Sequence, residues 1–249
     1  MEETVEAVSA LVEGDEPSFF ITANTHYAML THENPELQEV NRRARFIVAD
    51  GAPLVWAARR NSKPLPERVA GSDLIFELGG LAAKRGYRLF LAGGAPGVAE
   101  EAARRLYERY PGLQVVGTAA PAFSLSRDAA YAELKAQISQ ARPQILIVAA
   151  TMPLGERWLS AHSLDLGVPV GVNLGAAIDF AAGRIARAPR WMQRTGLEWA
   201  FRLFREPRRL FSRYARNAWF IARMVLRGRG ADRALPGPGV PLPADPDLR

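Results

Sequence analysis

Short apolar runs alternate along this chain with longer stretches in which apolar positions recur every three to four residues, and the alternation continues from Phe19 to Asn173. The short runs predict strands at Phe19–Thr22, Arg45–Ala49, Tyr87–Ala92, Gln114–Gly117, Gln144–Ala149 and Val168–Asn173. Several are apolar almost without a break, the pattern of strands covered on both faces rather than on one. Between them, Pro96–Tyr110 (apolar at Val98, Ala102 and Leu106) and Arg127–Ala141 predict helices, with Pro96 near a start and Pro143 just past an end, as helix termini favour. Strand–helix alternation of this kind predicts an α/β fold: a mostly parallel sheet flanked by helices. From about Arg190 the strand pattern stops and only helical periodicity remains, broken or restarted at Pro207. Past Arg229 the chain is rich in proline and glycine, which predicts a disordered tail. Three regions follow: an α/β domain over 1–190, a helical appendage over 191–229, and a tail over 230–249.

Charge sharpens that division. Residues 1–183 hold 17 Lys and Arg against 21 Asp and Glu, whereas residues 184–229 hold 13 Arg against only Glu198 and Glu206. The appendage is therefore strongly basic on an otherwise slightly acidic domain. The chain has no cysteine, which excludes disulfides, thiolate chemistry and cysteine-ligated metal. Its three histidines include His26 and His32, whose spacing does not put two ligands on one helical face, so a histidine metal site is not expected. Met1–Gly14 is acidic and lacks the basic-then-apolar order of a secretory signal. No apolar run approaches the roughly 20 residues that span a bilayer. A cytoplasmic location is the expectation.

In open parallel sheets, ligands bind beyond the carboxyl ends of the strands. Thr22 and Asn24 leave the first strand, where a hydroxyl and a carboxamide suit either a sugar or nucleotide contact or a helix cap. Asp50, followed by Gly51, leaves the second, where a carboxylate serves either as a cap or as general base for a hydroxyl nucleophile. The turn Gly93-Gly94-Ala95-Pro96-Gly97 enters a helix and presents backbone N–H groups suited to phosphate. It lacks the full dinucleotide fingerprint and has no P-loop lysine, so it stands equally for turn geometry. Thr151 and Glu156 flank the turn after the fifth strand, and Asn173 ends the sixth. Arg68 precedes Ser72 and Asp73, which read as a helix cap beside a cation suited to diphosphate.

In this order, these segments resemble the bacterial WecG/TagA/CpsF glycosyltransferases. The resemblance rests on Thr22-Ala23-Asn24, Ala49-Asp50-Gly51, Pro66 to Asp73 (PERVAGSD), Gly93 to Gly97 and Gly171 to Gly183 (GVNLGAAIDFAAG). It continues through Arg187 to Met192 (RAPRWM), Gly196 to Trp199 (GLEW) and Glu206 to Leu210 (EPRRL), and spans about residues 5–225. It implies a Rossmann-like fold and an inverting transfer of an N-acetylmannosamine-type sugar from a UDP-sugar, without a divalent metal or other cofactor. The implied acceptor is a polyprenyl-diphosphate-linked sugar, used in making cell-surface polysaccharide or teichoic acid. Asp50 matches the proposed general base, and Thr22 and Asn24 line the same pocket. Arg68, Ser72, Asp73, Gly93, Gly94, Gly97, Thr151, Glu156 and Asn173 are the corresponding substrate-binding candidates. One segment departs from the pattern: Pro153-Leu154-Gly155-Glu156 stands where the family commonly has Pro-Lys-Gln-Glu, so two polar side chains are lost while Glu156 is kept.

On a helical wheel Arg209, Arg213, Arg216, Arg223 and Arg227 fall within an arc of about 80°, with Leu210, Tyr214, Ala218, Ile221 and Val225 opposite and Phe211 nearby. An ordinary surface helix explains the stripe; the near-absence of acids points further, to an anionic membrane surface or the acceptor diphosphate. Trp199, Trp219 and Phe220 add groups suited to an interface. No nucleic-acid-binding module accompanies the arginines, so nucleic acid is not an expected partner. Peripheral attachment to the inner face of the cell membrane follows as an expectation, with self-association through the apolar face as its competitor. A noncatalytic nucleotide-sugar or membrane-binding module is the alternative function. A dinucleotide oxidoreductase rests on the glycine turn alone.

Overall fold

The structure is a computed structural model that describes residues 1–58, 65–189, 191–192, 195, 197–205 and 207–227. Six strands form one parallel sheet: β1 (Phe19–Ala23), β2 (Ile47–Ala49), β3 (Arg88–Gly93), β4 (Gln114–Ala119), β5 (Ile145–Ala149) and β6 (Val170–Asn173). Their order across the sheet is β2-β1-β6-β5-β3-β4. The helices up to the second strand are α1 (Glu2–Gly14), α2 (Thr25–Glu33) and α3 (Pro35–Arg43). Next come α4 (Ala52–Ala58), α5 (Gly71–Arg85), α6 (Val98–Arg109), α7 (Ala129–Ala141), α8 (Leu154–Leu166) and α9 (Ala177–Ala181). The appendage supplies α10 (Glu198–Arg205) and α11 (Pro207–Arg227).

Successive side chains of the central strands point to opposite faces, and both faces are covered. Phe20, Leu89, Ile147 and Val172 meet α1, α5, α6 and α9 through Val8, Leu74, Ala102 and Ile178. Phe19, Ile21, Leu146 and Val148 meet α2, α3, α7 and α8 through Tyr27, Leu37, Leu134 and Trp158. This is why the strand sequences are continuous apolar runs. The expected start of β2 at Arg45 shifts to Ile47, although the Arg45 N–H still donates to the Phe19 carbonyl and the Phe46 carbonyl accepts from Ile21. β2 is an edge strand, so only its last three residues complete a ladder.

Chain direction gives the sheet a useful property. β1, β5 and β4 lead into α2, α8 and α7 on one face, while β6 and β3 lead into α9 and α6 on the other; β2 leads first into α4, which packs with α2, and then into α5 on the second face. From β1 to β4 in the order β2-β1-β6-β5-β3-β4 these departures alternate, so neighbouring strands there diverge at their carboxyl ends, where ligands of open α/β sheets bind. The candidate residues at strand ends therefore share one edge of the sheet.

The appendage helices dock at that edge. Phe220 is buried with Ala28, Met29, Ala49, Leu54 and Val55, with Ile221 packed alongside. Its ring lies 5.9 Å from that of His32. Trp199 and Tyr214 meet edge to face at 6.0 Å, joining α10 to α11. Phe220 falls within the arginine arc of the helical wheel, so the receiving surface, not the tidier apolar stripe, decides how α11 is rotated. Phe211 and Trp219 are each 67 % exposed, and Arg208, Arg216, Ala218 and Arg223 also face outward. The side chains of Arg209, Leu210, Arg213, Val225 and Arg227, the residues Gly196 and Glu206, and the tail over 230–249 lie outside the described residues. Among the described residues, no helix is long and apolar enough to cross a membrane.

Candidate active site

Asp50 follows the last residue of β2 and is partly buried, its N–H donating to the Ala23 carbonyl at 2.8 Å. The loop leading to α5 returns to the same strand end, where the Val69 N–H donates to the Ala49 carbonyl at 2.9 Å. That return brings the first turn of α5 against the carboxylate. A Cβ on Gly71 would lie 3.7 Å from Asp50 Oδ2 and 3.5 Å from the Leu174 carbonyl oxygen. Asp50 thus sits between the N-terminal, positive ends of α4 and α5.

Ser72 and Asp73 do not cap α5. The N-cap is Ala70, without a side-chain bond, and both residues lie inside the first turn. Their side chains face Arg187, which donates to Asp73 Oδ1 at 2.5 Å and to Ser72 Oγ at 3.3 Å. Arg68 donates to Glu198 Oε2 at 3.3 Å and lies 3.8 Å from Asp73 Oδ2. Two guanidinium groups and two carboxylates from four segments, one of them α10 of the appendage, therefore cluster at the first turn of α5, whose Gly71 borders Asp50. Arg187 Nε and Glu198 Oε1 are buried and have no hydrogen-bond partner among the described residues. Reading the sequence gives Arg187 and Glu198 no role. They fall within the RAPRWM and GLEW stretches, and Glu198, one of only two acids among the arginines of 184–229, carries the signal that marks the pairing.

Thr22 and Asn24 serve the scaffold here. The buried Thr22 hydroxyl donates to the Asn173 carbonyl at 3.1 Å, tying β1 to β6. Asn24 Oδ1 accepts the Tyr27 N–H at 3.0 Å and so caps α2. Asn173 is a hub at the end of β6. Its Oδ1 accepts from the backbone N–H of Ala150 at 3.1 Å and of Gly175 at 3.4 Å. Its Nδ2 donates to Glu156 Oε1 at 2.9 Å. Glu156 is in the first turn of α8, as a helix-dipole charge would be, yet only 1 % of it is exposed. A Cβ on residue 155 would come within 2.3 Å of the Asn173 amide. Gly155 is thus required by the Asn173 carboxamide, which takes the volume of the side chain lost from the Pro-Leu-Gly-Glu segment. Thr151 is exposed at the mouth of the same turn.

The glycine turn after β3 lies apart from Asp50. Four strand spacings of about 4.8 Å separate β2 from β3, or roughly 19 Å of sheet edge. Gly93 has φ 122° and a Cβ there would come 2.5 Å from the Ala149 carbonyl oxygen, so the approach of β5 accounts for this glycine without a ligand. Gly94 and Gly97 also have positive φ, and Gly97 is the N-cap of α6 without a side-chain bond. His162 lies against Tyr131 and Trp158 with its ring tilted to both, its charged form disfavoured by burial. No cluster of three or more histidines and carboxylates suited to a metal is found among the described residues.

Burial pushes the Glu156 carboxyl up to about 7, a rise that the Asn173 hydrogen bond only partly opposes. Because its value in the folded protein lies above the ordinary 4.5, the native state holds the proton more tightly than the unfolded chain. Its contribution to stability is full below pH 4.5 and is lost as pH rises to about 7, by up to about 3 kcal/mol. Glu156→Gln removes the titration, so urea unfolding should show the variant gaining on the native chain by that amount between pH 4.5 and 7.5. A constant difference across that range would disprove the burial argument.

A parallel α/β sheet flanked by helices, with Asp50 and the Arg68–Glu198 and Arg187–Asp73 pairs at its carboxyl edge, defines the class: a Rossmann-like protein. A family model, Glycosyl transferase WecG/TagA/CpsF family, matches residues 1–234, and the chain belongs to that family. Three relatives are named N-acetylglucosaminyldiphosphoundecaprenol N-acetyl-beta-D-mannosaminyltransferase. The one from Bacillus spizizenii is 30 % identical over 77 % of this chain and 73 % of its own length. The one from Bacillus subtilis is 29 % identical over 75 % and 71 %, and that from Staphylococcus aureus 26 % identical over 77 % and 74 %.

Proposed function

We propose that this protein transfers an N-acetylmannosamine-type sugar from a UDP-sugar to a polyprenyl-diphosphate-linked N-acetylglucosamine, with inversion at the anomeric carbon. The relatives' names supply the sugar and the acceptor. The observation that supports the chemistry is the first turn of α5, whose Gly71 borders Asp50 while its Asp73 binds Arg187 and neighbours the Arg68–Glu198 pair. In a single displacement, Asp50 takes the proton of the acceptor hydroxyl as its oxygen bonds to the anomeric carbon. The bond from that carbon to the UDP oxygen breaks, and UDP leaves with the electron pair. Arg68 and Arg187 are placed to meet diphosphate charge in the role a divalent ion fills elsewhere. The roughly 19 Å of edge between Asp50 and the glycine turn accommodates an extended donor, nucleotide toward β3 and sugar toward β2.

The appendage suits a lipid acceptor. Its outward face combines Arg208, Arg216 and Arg223 with Phe211 and Trp219, a pairing that favours an anionic bilayer surface and peripheral attachment to the inner face of the membrane. A panel of UDP-sugars with a short-chain lipid-diphosphate-N-acetylglucosamine acceptor, read by mass spectrometry, tests the reading. Product is expected from UDP-N-acetylmannosamine, with the opposite anomeric configuration by NMR. Donor binding without turnover on the lipid acceptor would make the protein a binding module instead.

A further inference from the structure

Glu156 is an expensive residue for a fold to keep where it stands. It is 1 % exposed, one carboxyl oxygen accepts from Asn173, and the other, Oε2, is buried with no hydrogen-bond partner among the described residues. Such a group costs stability unless its placement does something else. A packing role alone would be met by an apolar residue of similar size.

Its contacts show what it controls. The Asn173 carboxamide is gripped on both sides: Glu156 holds its Nδ2, and the backbone N–H groups of Ala150 and Gly175 hold its Oδ1. Those two N–H groups belong to the turns leaving β5 and β6. The Asn173 carbonyl in turn receives the Thr22 hydroxyl from β1. Between Asn173 and Gly175 lies Leu174, whose carbonyl oxygen flanks Gly71 together with Asp50 Oδ2. One buried side chain therefore sets the orientation of an amide that joins the turns leaving β5 and β6, and the backbone so fixed reaches Gly71 beside the Asp50 carboxylate.

We propose that Glu156 is a positioning residue for the transfer: it holds the Asn173 carboxamide, and through it the turns leaving β5 and β6, the latter of which reaches Gly71 beside Asp50. The proposal rests on the reading of Asp50 as the base. Glu156 acts through Asn173, and its acceptor oxygen rather than its charge does the holding. Tyr27 of α2 is the titratable group facing it, with its phenol pushed up by burial and by the Glu156 charge. The neutral carboxyl favoured by burial keeps the same acceptor.

Three substitutions in the full chain separate the roles, assayed with UDP-N-acetylmannosamine and the short-chain lipid-diphosphate acceptor. Glu156→Ala removes the acceptor. Gly155→Ala leaves Glu156 in place but puts a Cβ within 2.3 Å of the Asn173 amide. Both should lower kcat by about 100-fold, the scale for an angstrom of misplacement, with donor KM within about threefold. Glu156→Gln keeps the acceptor and should recover kcat to within about fivefold of the native chain. Circular dichroism identifies any variant that fails to fold, and the Gly155→Ala and Glu156→Gln pair still decides if Glu156→Ala is lost. Gly155→Ala at the native rate would overturn the proposal, as would Glu156→Gln no better than Glu156→Ala, which would make the carboxyl a chemical participant. Asp50→Asn run alongside separates the two readings, because an active Asp50→Asn variant removes the base and leaves the outcome at Glu156 to be judged on its own.

Discussion

Asp50→Asn is expected to lower kcat by about 1,000-fold, the middle of the range for loss of a general base, with donor KM changed by less than about threefold. Asparagine keeps the size of the side chain and the backbone bond from Asp50 N–H to the Ala23 carbonyl, so the strand end and the first turn of α5 stay in place. What is lost is the ability to take a proton from the acceptor hydroxyl. Some rate should survive, because the substitution leaves the donor contacts proposed for Arg68 and Arg187 unchanged. Purified variant and native chain, compared by initial rates over both substrates and by thermal unfolding, give the answer. Activity at the native rate would remove Asp50 as the base and move attention to the remaining carboxylates of the cluster, Asp73 and Glu198.

Truncation after Arg190 is expected to cut transfer by at least about 100-fold with every acceptor, soluble or lipid-anchored. The reason lies in what α10 and α11 touch. Glu198 is the partner of Arg68, and Phe220 closes the apolar cluster formed by Ala28, Met29, Ala49, Leu54 and Val55, directly behind Asp50. An appendage that served only as a membrane tether would leave a soluble acceptor turned over at the native rate, and that result would refute a role at the site. Exposing the Phe220 cluster also destabilises the domain, so Glu198→Gln provides the finer test. It keeps α10 and α11 but weakens the hold on Arg68, and a fall in rate there without a fall in melting temperature places the effect at the site.

Much of the site is legible in the sequence because strand ends are. Continuous apolar runs such as Ile145–Ala149 can only be strands buried on both faces, and the first polar residue after each run must emerge at the sheet edge. Asp50 and Asn24 are found that way, Asn24 as the cap of α2, and Asn173 as the polar residue that closes β6. Their partners are not. Asp73 reads as a cap because aspartate near a helix start usually is one, yet it faces Arg187, 114 residues away. Gly93 reads as a phosphate turn, yet the carbonyl of Ala149 on a neighbouring strand already demands it. In both cases a local preference has two physical causes, and only the surroundings select one.

The sequence by itself determined the number and places of the strands, the parallel α/β class, the helix restart at Pro207 and the basic character of the last helices. Each is a local property, set by the period of apolar side chains or by the missing N–H of proline. Tertiary structure alone decided the strand order β2-β1-β6-β5-β3-β4, the exchange of side-chain volume between Gly155 and Asn173, the Arg68–Glu198 pair across 130 positions and the rotation of α11 onto Phe220. An apolar or charged face specifies that it needs a partner, not which partner. That choice is made when all the faces compete for one another in the folded chain.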